Sequence, residues 1–192
     1  MLETLSVNEK PQPAAREKRV KKGLVIVNTG DGKGKTTAAL GVVLRAWGRG
    51  LRVSVVQFIK AETGNWGEIQ AARKLGIDWH AMGDGFTWLS KDIEKTAERA
   101  RAAWALAQEK IASNNFDLIV LDEMTYAFHN GWLDVNAVVA WLREQKPAML
   151  HLIITGRNAP PELMEFADLV TEMKKIKHPF DQGILAQAGI EF

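Results

Sequence analysis

The chain has 192 residues and a mass of 21.3 kDa, with 46% hydrophobic and 25% charged residues, enough for one domain to close a sizeable core. It contains no cysteine, which excludes a disulfide framework, a zinc–thiolate or iron–sulfur site and a cysteine nucleophile. The net charge of +2 is unevenly placed: residues 1–22 hold six basic side chains against three acidic ones, leaving 19 basic and 20 acidic from Gly23 onward, so charge lends no support to a nucleic-acid-binding body.

Residues 1–22 contain Pro11 and Pro13 among alternating charges and show no periodic apolar face, so they read as a flexible basic N-terminal arm ahead of a single domain spanning 23–192. No apolar run reaches the length of a membrane span or a signal peptide, and the expected location is the cytoplasm, with no membrane partner. From Gly23 the texture changes. Runs rich in β-branched residues predict strands at Leu24 to Asn28, Val53 to Phe58, Leu118 to Leu121 and Leu150 to Thr155, with weaker candidates at Ile77 to Met82 and Leu169 to Met173. Between them, helical patterns run over Thr36 to Trp47, Trp66 to Leu75, about Lys91 to Ala112, Val135 to Glu144 and Glu162 to Ala167. Strand and helix alternate, and the main strand runs are apolar on both faces. The expected fold is α/β, a parallel sheet flanked by helices on both faces, with ligands beyond the carboxyl ends of the strands.

The first strand runs into Thr29-Gly30-Asp31-Gly32-Lys33-Gly34-Lys35-Thr36-Thr37 and then into a helix. Glycines let backbone N–H groups turn inward, Lys35 can meet the β- and γ-phosphates, Thr36 offers a hydroxyl to Mg²⁺, and a helix N-terminus lies behind. The usual first Gly of such a loop is Thr29 here. The bland reading is a glycine-rich turn, but three glycines in five residues add backbone entropy to the unfolded chain without need. Lys33 either adds charge to a triphosphate or faces water.

Leu118-Ile119-Val120-Leu121-Asp122-Glu123 delivers two carboxylates from the end of an apolar run. One acid can hold Mg²⁺, and the second can join it or activate a water. The alternative is that both acids cap the following helix. A further strand end, Ile154-Thr155-Gly156-Arg157, brings a guanidinium to the same edge of the sheet, suited to phosphate. The chain has no Gly-x-Ser-x-Gly elbow, and His80, His129, His151 and His178 lack metal-ligand spacing. Hydrolysis, phosphoryl transfer and attack elsewhere on ATP are all compatible with these motifs.

Taken in order, Thr29 to Ala39, Val56-Gln57-Phe58-Ile59-Lys60, Gly85-Phe86-Thr87-Trp88, Val120 to Tyr126, Ile154 to Arg157 and Lys177-His178-Pro179-Phe180-Asp181 with Gly183 closely resemble the ATP:corrinoid adenosyltransferases of cobalamin biosynthesis and salvage. These are P-loop NTPase proteins of the recombinase-like kind, and the resemblance extends over about 23–192. It implies that a reduced Co(I) corrinoid attacks C5′ of ATP and releases triphosphate, so that the nucleophile arrives on the substrate. It further implies that Gly30, Asp31, Gly32, Lys33, Gly34, Lys35, Thr36 and Thr37 bind the nucleotide with Arg157, and that Thr36 and Glu123 ligate Mg²⁺ or Mn²⁺ with Asp122 in support. Lys35 and Glu123 would be catalytic. So would Phe86 and Trp88, a pair placed by the resemblance under the corrinoid, where an apolar wall denies cobalt its lower axial ligand; without it they would read as ordinary packing residues. The resemblance also implies a homodimer and allows a flavoprotein reductase as partner, while the sequence does not say what supplies the electron. The basic arm would then cover the corrinoid or meet its acidic groups, the alternative being a solvated tail. A competing class is a recombinase-like ATPase acting on nucleic acid or a partner protein, with Glu123 as base. A third is a module using ATP as a switch.

Overall fold

In the computed structural model the described residues are 20–61, 66–83, 85 and 93–191. Six strands form one sheet: β1 (Val25–Thr29), β2 (Val53–Gln57), β3 (Asp78–Ala81), β4 (Leu118–Asp122), β5 (His151–Thr155) and β6 (Leu169–Glu172). Their order is β3-β2-β4-β5-β1-β6, and every pairing is parallel. The helices are α1 (Lys35–Gly48), α2 (Gly67–Leu75), α3 (Ile93–Ala112), α4 (Thr125–His129), α5 (Val135–Gln145) and α6 (Pro161–Phe166). The expected α/β fold is therefore the observed one.

Alternation along the central strands makes two cores. Val53, Val55, Leu118, Val120 and Ile153 point to one face, where α1 buries Ala39, Val43 and Ala46 on them at helical spacing. Val56, Ile119, Leu121, Leu152 and Ile154 point to the other face, covered by Ala100, Ala103, Trp104, Ala107 and Ile111 of α3, by Val138, Val139 and Leu142 of α5, and by Leu163 of α6. Trp104 and Trp141 meet edge to face, with ring centroids 5.4 Å apart, and lock α3 to α5. The small residues of α3 let its backbone lie close to the sheet, which is why an Ala-rich helix sits over so apolar a surface.

The predicted elements recur with ends shifted by one or two residues. Leu24 and Phe58 lie just outside their strands, because pairing is set by the neighbouring strand rather than by apolar character. The weak candidate at Leu169 to Met173 is a strand, but an exposed edge strand with all four residues accessible to solvent. Two elements went unpredicted, the single-turn α4 and a 3₁₀ turn at Pro179–Gln182, both too short to show a period. Among the described residues no helix is long and apolar enough to cross a membrane.

Candidate functional site

The carboxyl ends of β1, β4 and β5 meet at one edge of the sheet, with β5 between the other two. Beyond β1 the loop turns at Gly30, which has φ +96° and lies so close to the Met173 carbonyl that a Cβ would touch it. Gly32 N–H donates to the same carbonyl at 2.6 Å, so the stretch after β6 braces the loop from behind. Gly34, with φ +111°, then starts α1. Thr29 is buried, and its hydroxyl accepts from Ala159 N–H at 3.0 Å, tying the loop after β5 to the end of β1. A glycine could not do this, and the atypical residue of the loop acquires a structural role.

Lys35 is only 6% exposed. Its ammonium donates to the carbonyls of Gly30 at 2.7 Å and Gly32 at 2.8 Å, curling over the loop's own backbone. Burial lowers its pKa, against which Glu123 acts most strongly, and Arg157 adds to the lowering. A compact charge held by two neutral carbonyls gives up little on transferring to phosphate oxygens, which neutralise it better.

Asp122 is 1% exposed at the end of β4 and accepts three hydrogen bonds. Its Oδ1 receives Thr36 Oγ1 at 2.8 Å and Thr155 Oγ1 at 2.7 Å, and its Oδ2 receives Gln57 Nε2 at 2.9 Å. Glu123 follows with φ +59°, a left-handed backbone conformation that costs a non-glycine residue about 1 kcal/mol or more. That turn directs its side chain to the cavity while its N–H donates to Thr155 Oγ1 at 2.9 Å. The residue is half-buried overall, but its Oε2 is fully enclosed and has no hydrogen-bond partner among the described residues. Burial, reinforced by Asp122 beside it, raises the Glu123 pKa from 4.5 to about 7. An unpartnered carboxylate oxygen and the Thr36 hydroxyl, on residues lining one cavity, are hard-oxygen donors of the kind Mg²⁺ or Mn²⁺ takes together with phosphates.

Gly156 carries the third strand end around this cluster. Its φ is +141°, and a Cβ would collide with Oγ1 of Thr125, whose hydroxyl donates to the Arg157 carbonyl at 2.6 Å. Gly156→Ala is expected to destabilise the protein by about 2–4 kcal/mol, adding backbone strain to a steric clash, and to lower Tm by roughly 5–15 °C in thermal unfolding. A Tm within about 2 °C of wild type would show that the turn can relax.

Lys35, Thr36, Glu123 and Arg157 line a common cavity of ≈ 860 Å³ with Gly32, Lys33, Gly34 and Thr37. The chain from 21 to 192 matches the family model "ATP:corrinoid adenosyltransferase BtuR/CobO/CobP". It belongs to this family. Corrinoid adenosyltransferases of Sinorhizobium sp., Pseudomonas aeruginosa and Escherichia coli (strain K12) are 45%, 43% and 39% identical to it; the alignments cover 93%, 91% and 97% of this chain and 87%, 86% and 94% of theirs. The flagellar accessory protein FlaH from Methanocaldococcus jannaschii superposes with a TM-score of 0.57 at 12% identity, over 80% of this chain and 72% of that one, a likeness of fold alone.

As a member of the adenosyltransferase family the chain places its predicted residues unequally. Gly30 and Asp122 stand behind the cavity, the one against Met173 and the other under Thr36. Asp31 faces a second cavity and lies 3.7 Å from Arg157, while Lys33 pairs with Glu191 at 3.0 Å, so Lys33 faces an acid rather than water alone. Phe86 and Trp88 lie outside the described residues. Their flanks, Gly83 and Gly85, donate to the carbonyls of Lys60 and Ile59 at 3.1 and 3.0 Å. Lys60, Tyr126 and Pro179, which stand in the sequence motifs without a predicted site role, line the cavity, and so do 189–191, which no sequence signal marked. The Lys60 ammonium sits 4.7 Å from the Trp66 ring centre and is paired with Glu68. Lys60 ends the Val56-to-Lys60 motif, but only the fold sets it at the cavity wall.

Proposed function

We propose that this adenosyltransferase moves the 5′-deoxyadenosyl group of ATP to the cobalt of a Co(I) corrinoid. The cobalt electron pair forms the bond to C5′, the C5′–O bond breaks, and the triphosphate leaves with that electron pair. The observation that carries the reading is the joining of the phosphate loop, Lys35 and Glu123, with its enclosed and unpartnered Oε2, at one cavity in a chain of this family.

In this reading the loop N–H groups and Lys35 hold the triphosphate, and Arg157 meets its outer oxygens. Thr36 and Glu123 hold Mg²⁺, or Mn²⁺ in its place, with Asp122 orienting Thr36 from behind. A cation so held neutralises part of the triphosphate charge. Catalysis by the protein is then positioning of two reactants and stabilisation of a leaving anion, which needs no protein nucleophile. We place the enzyme in the cytoplasm as a homodimer served by a flavoprotein reductase, within cobalamin biosynthesis or salvage. The exposed apolar edge at Leu169 and Val170 is compatible with a second copy. Residues 1–22 act as an arm on the 23–192 domain.

The purified protein with ATP, Mg²⁺ and chemically reduced corrinoid should yield triphosphate and a light-sensitive alkylcobalt spectrum. ADP and phosphate released without corrinoid would overturn the reading in favour of a recombinase-like ATPase. Trp88→Ala should chiefly impair the route that starts from Co(II) corrinoid while sparing chemically generated Co(I); equal losses on both routes would reduce Trp88 to packing.

A further inference from the structure

Two residues outside the phosphate loop and the acid pair set the direction of the hydrogen bonds beneath the loop. Gln57, at the end of β2, is 1% exposed and pairs with Asp122 in the strand register. Its Nε2 donates to Asp122 Oδ2 at 2.9 Å, and its Oε1 accepts from the indole Nε1–H of Trp79 on β3 at 3.0 Å. Gln57, Trp79 and Asp122 all project to the face that α1 covers, following the same alternation as Val55 and Val120.

An indole N–H can only donate, so the Gln57 atom facing Trp79 must be the oxygen, and the amide NH₂ must face Asp122. The same logic holds on the other side. Glu123 N–H donates to Thr155 Oγ1, and the Thr155 proton goes to Asp122 Oδ1. Asp122 is thereby kept purely an acceptor, and the remaining hydroxyl in reach, Thr36, gives its proton to Oδ1 at 2.8 Å. With its proton committed backwards, Thr36 has only lone pairs to offer forwards.

We infer that Trp79 and Gln57 are positioning residues that fix Asp122 and, through it, aim the oxygen lone pairs of Thr36 at the nucleotide's cation. The inference rests on the reading of Thr36 and Glu123 as that cation's holders. Without the indole N–H the Gln57 amide keeps its bond to Asp122 Oδ2 but is anchored at that end alone, so the carboxylate is held less firmly and the Thr36 hydroxyl is aimed less sharply.

Trp79 is half-buried, and Trp79→Phe keeps an aromatic ring while deleting the donor. ATP affinity, titrated calorimetrically with chelator and with Mg²⁺, should be within about twofold of wild type in chelator, while the Mg²⁺-dependent gain shrinks about 3- to 10-fold, the size of one hydrogen bond. Turnover should fall with the KM for corrinoid unchanged. Gln57→Leu should lose as much as the Gln57→Leu/Trp79→Phe double variant, since Trp79 acts through Gln57. Equal loss with and without Mg²⁺, or additive losses, would overturn the relay and leave the cation reading standing. A wild-type ATP affinity indifferent to Mg²⁺ would overturn both. If the variants do not fold, a second measurement decides: Asp122→Asn should shift the indole N–H resonance of Trp79 in ¹⁵N-labelled protein, and an unmoved resonance would refute the relay.

Discussion

Lys35→Ala should lower adenosyl transfer by about 10²–10³-fold and weaken ATP binding by at least tenfold, with the fold retained. The ammonium is enclosed at the start of α1, with the loop carbonyls as its only hydrogen-bond acceptors among the described residues, and reaches the wall of the cavity. A charge aimed at a leaving group from a partly desolvated position contributes several kcal/mol of transition-state stabilisation, and loss of one such group costs about 10²–10³ in rate. The loop glycines add N–H groups that cannot replace a full charge on the departing triphosphate. Stability should change little, within about 1 kcal/mol, because the variant loses two hydrogen bonds to carbonyls but also the burial of a charge. Lys35→Arg should fail as well, since the larger planar guanidinium does not fit where a point charge curls over two carbonyls. Turnover of Lys35→Ala within tenfold of wild type would refute the assignment of this loop as the triphosphate cradle.

Glu123→Gln is expected to inactivate the enzyme by about 10²-fold or more and yet to stabilise the protein at neutral and alkaline pH. The Glu123 carboxyl titrates at about 7 in the folded chain against 4.5 as its ordinary value, because burial and Asp122 disfavour its charge. The folded state thus holds a proton that the unfolded state has released. Its contribution is fully present below pH about 4.5 and is lost as pH rises to about 7, a loss of roughly 3 kcal/mol at most. Glutamine is neutral throughout, so the variant should be about 1–2 kcal/mol more stable than wild type at pH 8 once the amide's unmet donors are counted, and should lose that advantage by pH 4.5. Thermal unfolding should show this as a Tm difference of about 2–8 °C at pH 8 that closes toward acid. A Tm difference equal at both pH values would mean that Glu123 is not held in a charge-excluding site. The combination of lower activity with higher stability is what a functional carboxylate buried against a second acid should give, since burial of its charge costs the folded state energy.

The residues of the site were legible in different degrees. The loop from Thr29 to Thr37 announces itself because glycines, a lysine and a hydroxyl must follow one another along the backbone to cradle phosphate, and a local requirement leaves a local pattern. Asp122 and Glu123 are legible for the same reason, as charges at the end of an apolar run. Gln57, Thr155 and Trp79 are not, because a polar residue ending a strand has no meaning until the neighbouring strand is known. Lys60 and 189–191 reach the cavity from distant parts of the chain and follow no period. α4 escaped notice because five residues do not complete two turns.

What could be read along the chain was therefore local: alternating strands and helices, apolar strand faces, the phosphate loop and the acids. Each depends on residues a few positions apart, whose spacing reports the 2.0 and 3.6 periods or a single turn. The order β3-β2-β4-β5-β1-β6 is another matter, since it turns on which strand faces bury best against which helices across the whole domain. That order sets β5 between loop and acids, bringing Thr155 to Asp122 and Arg157 to the cavity, and sets β2 beside β4, bringing Gln57 and Trp79 beneath Asp122. Long-range packing thus completed a site whose charged half was written locally.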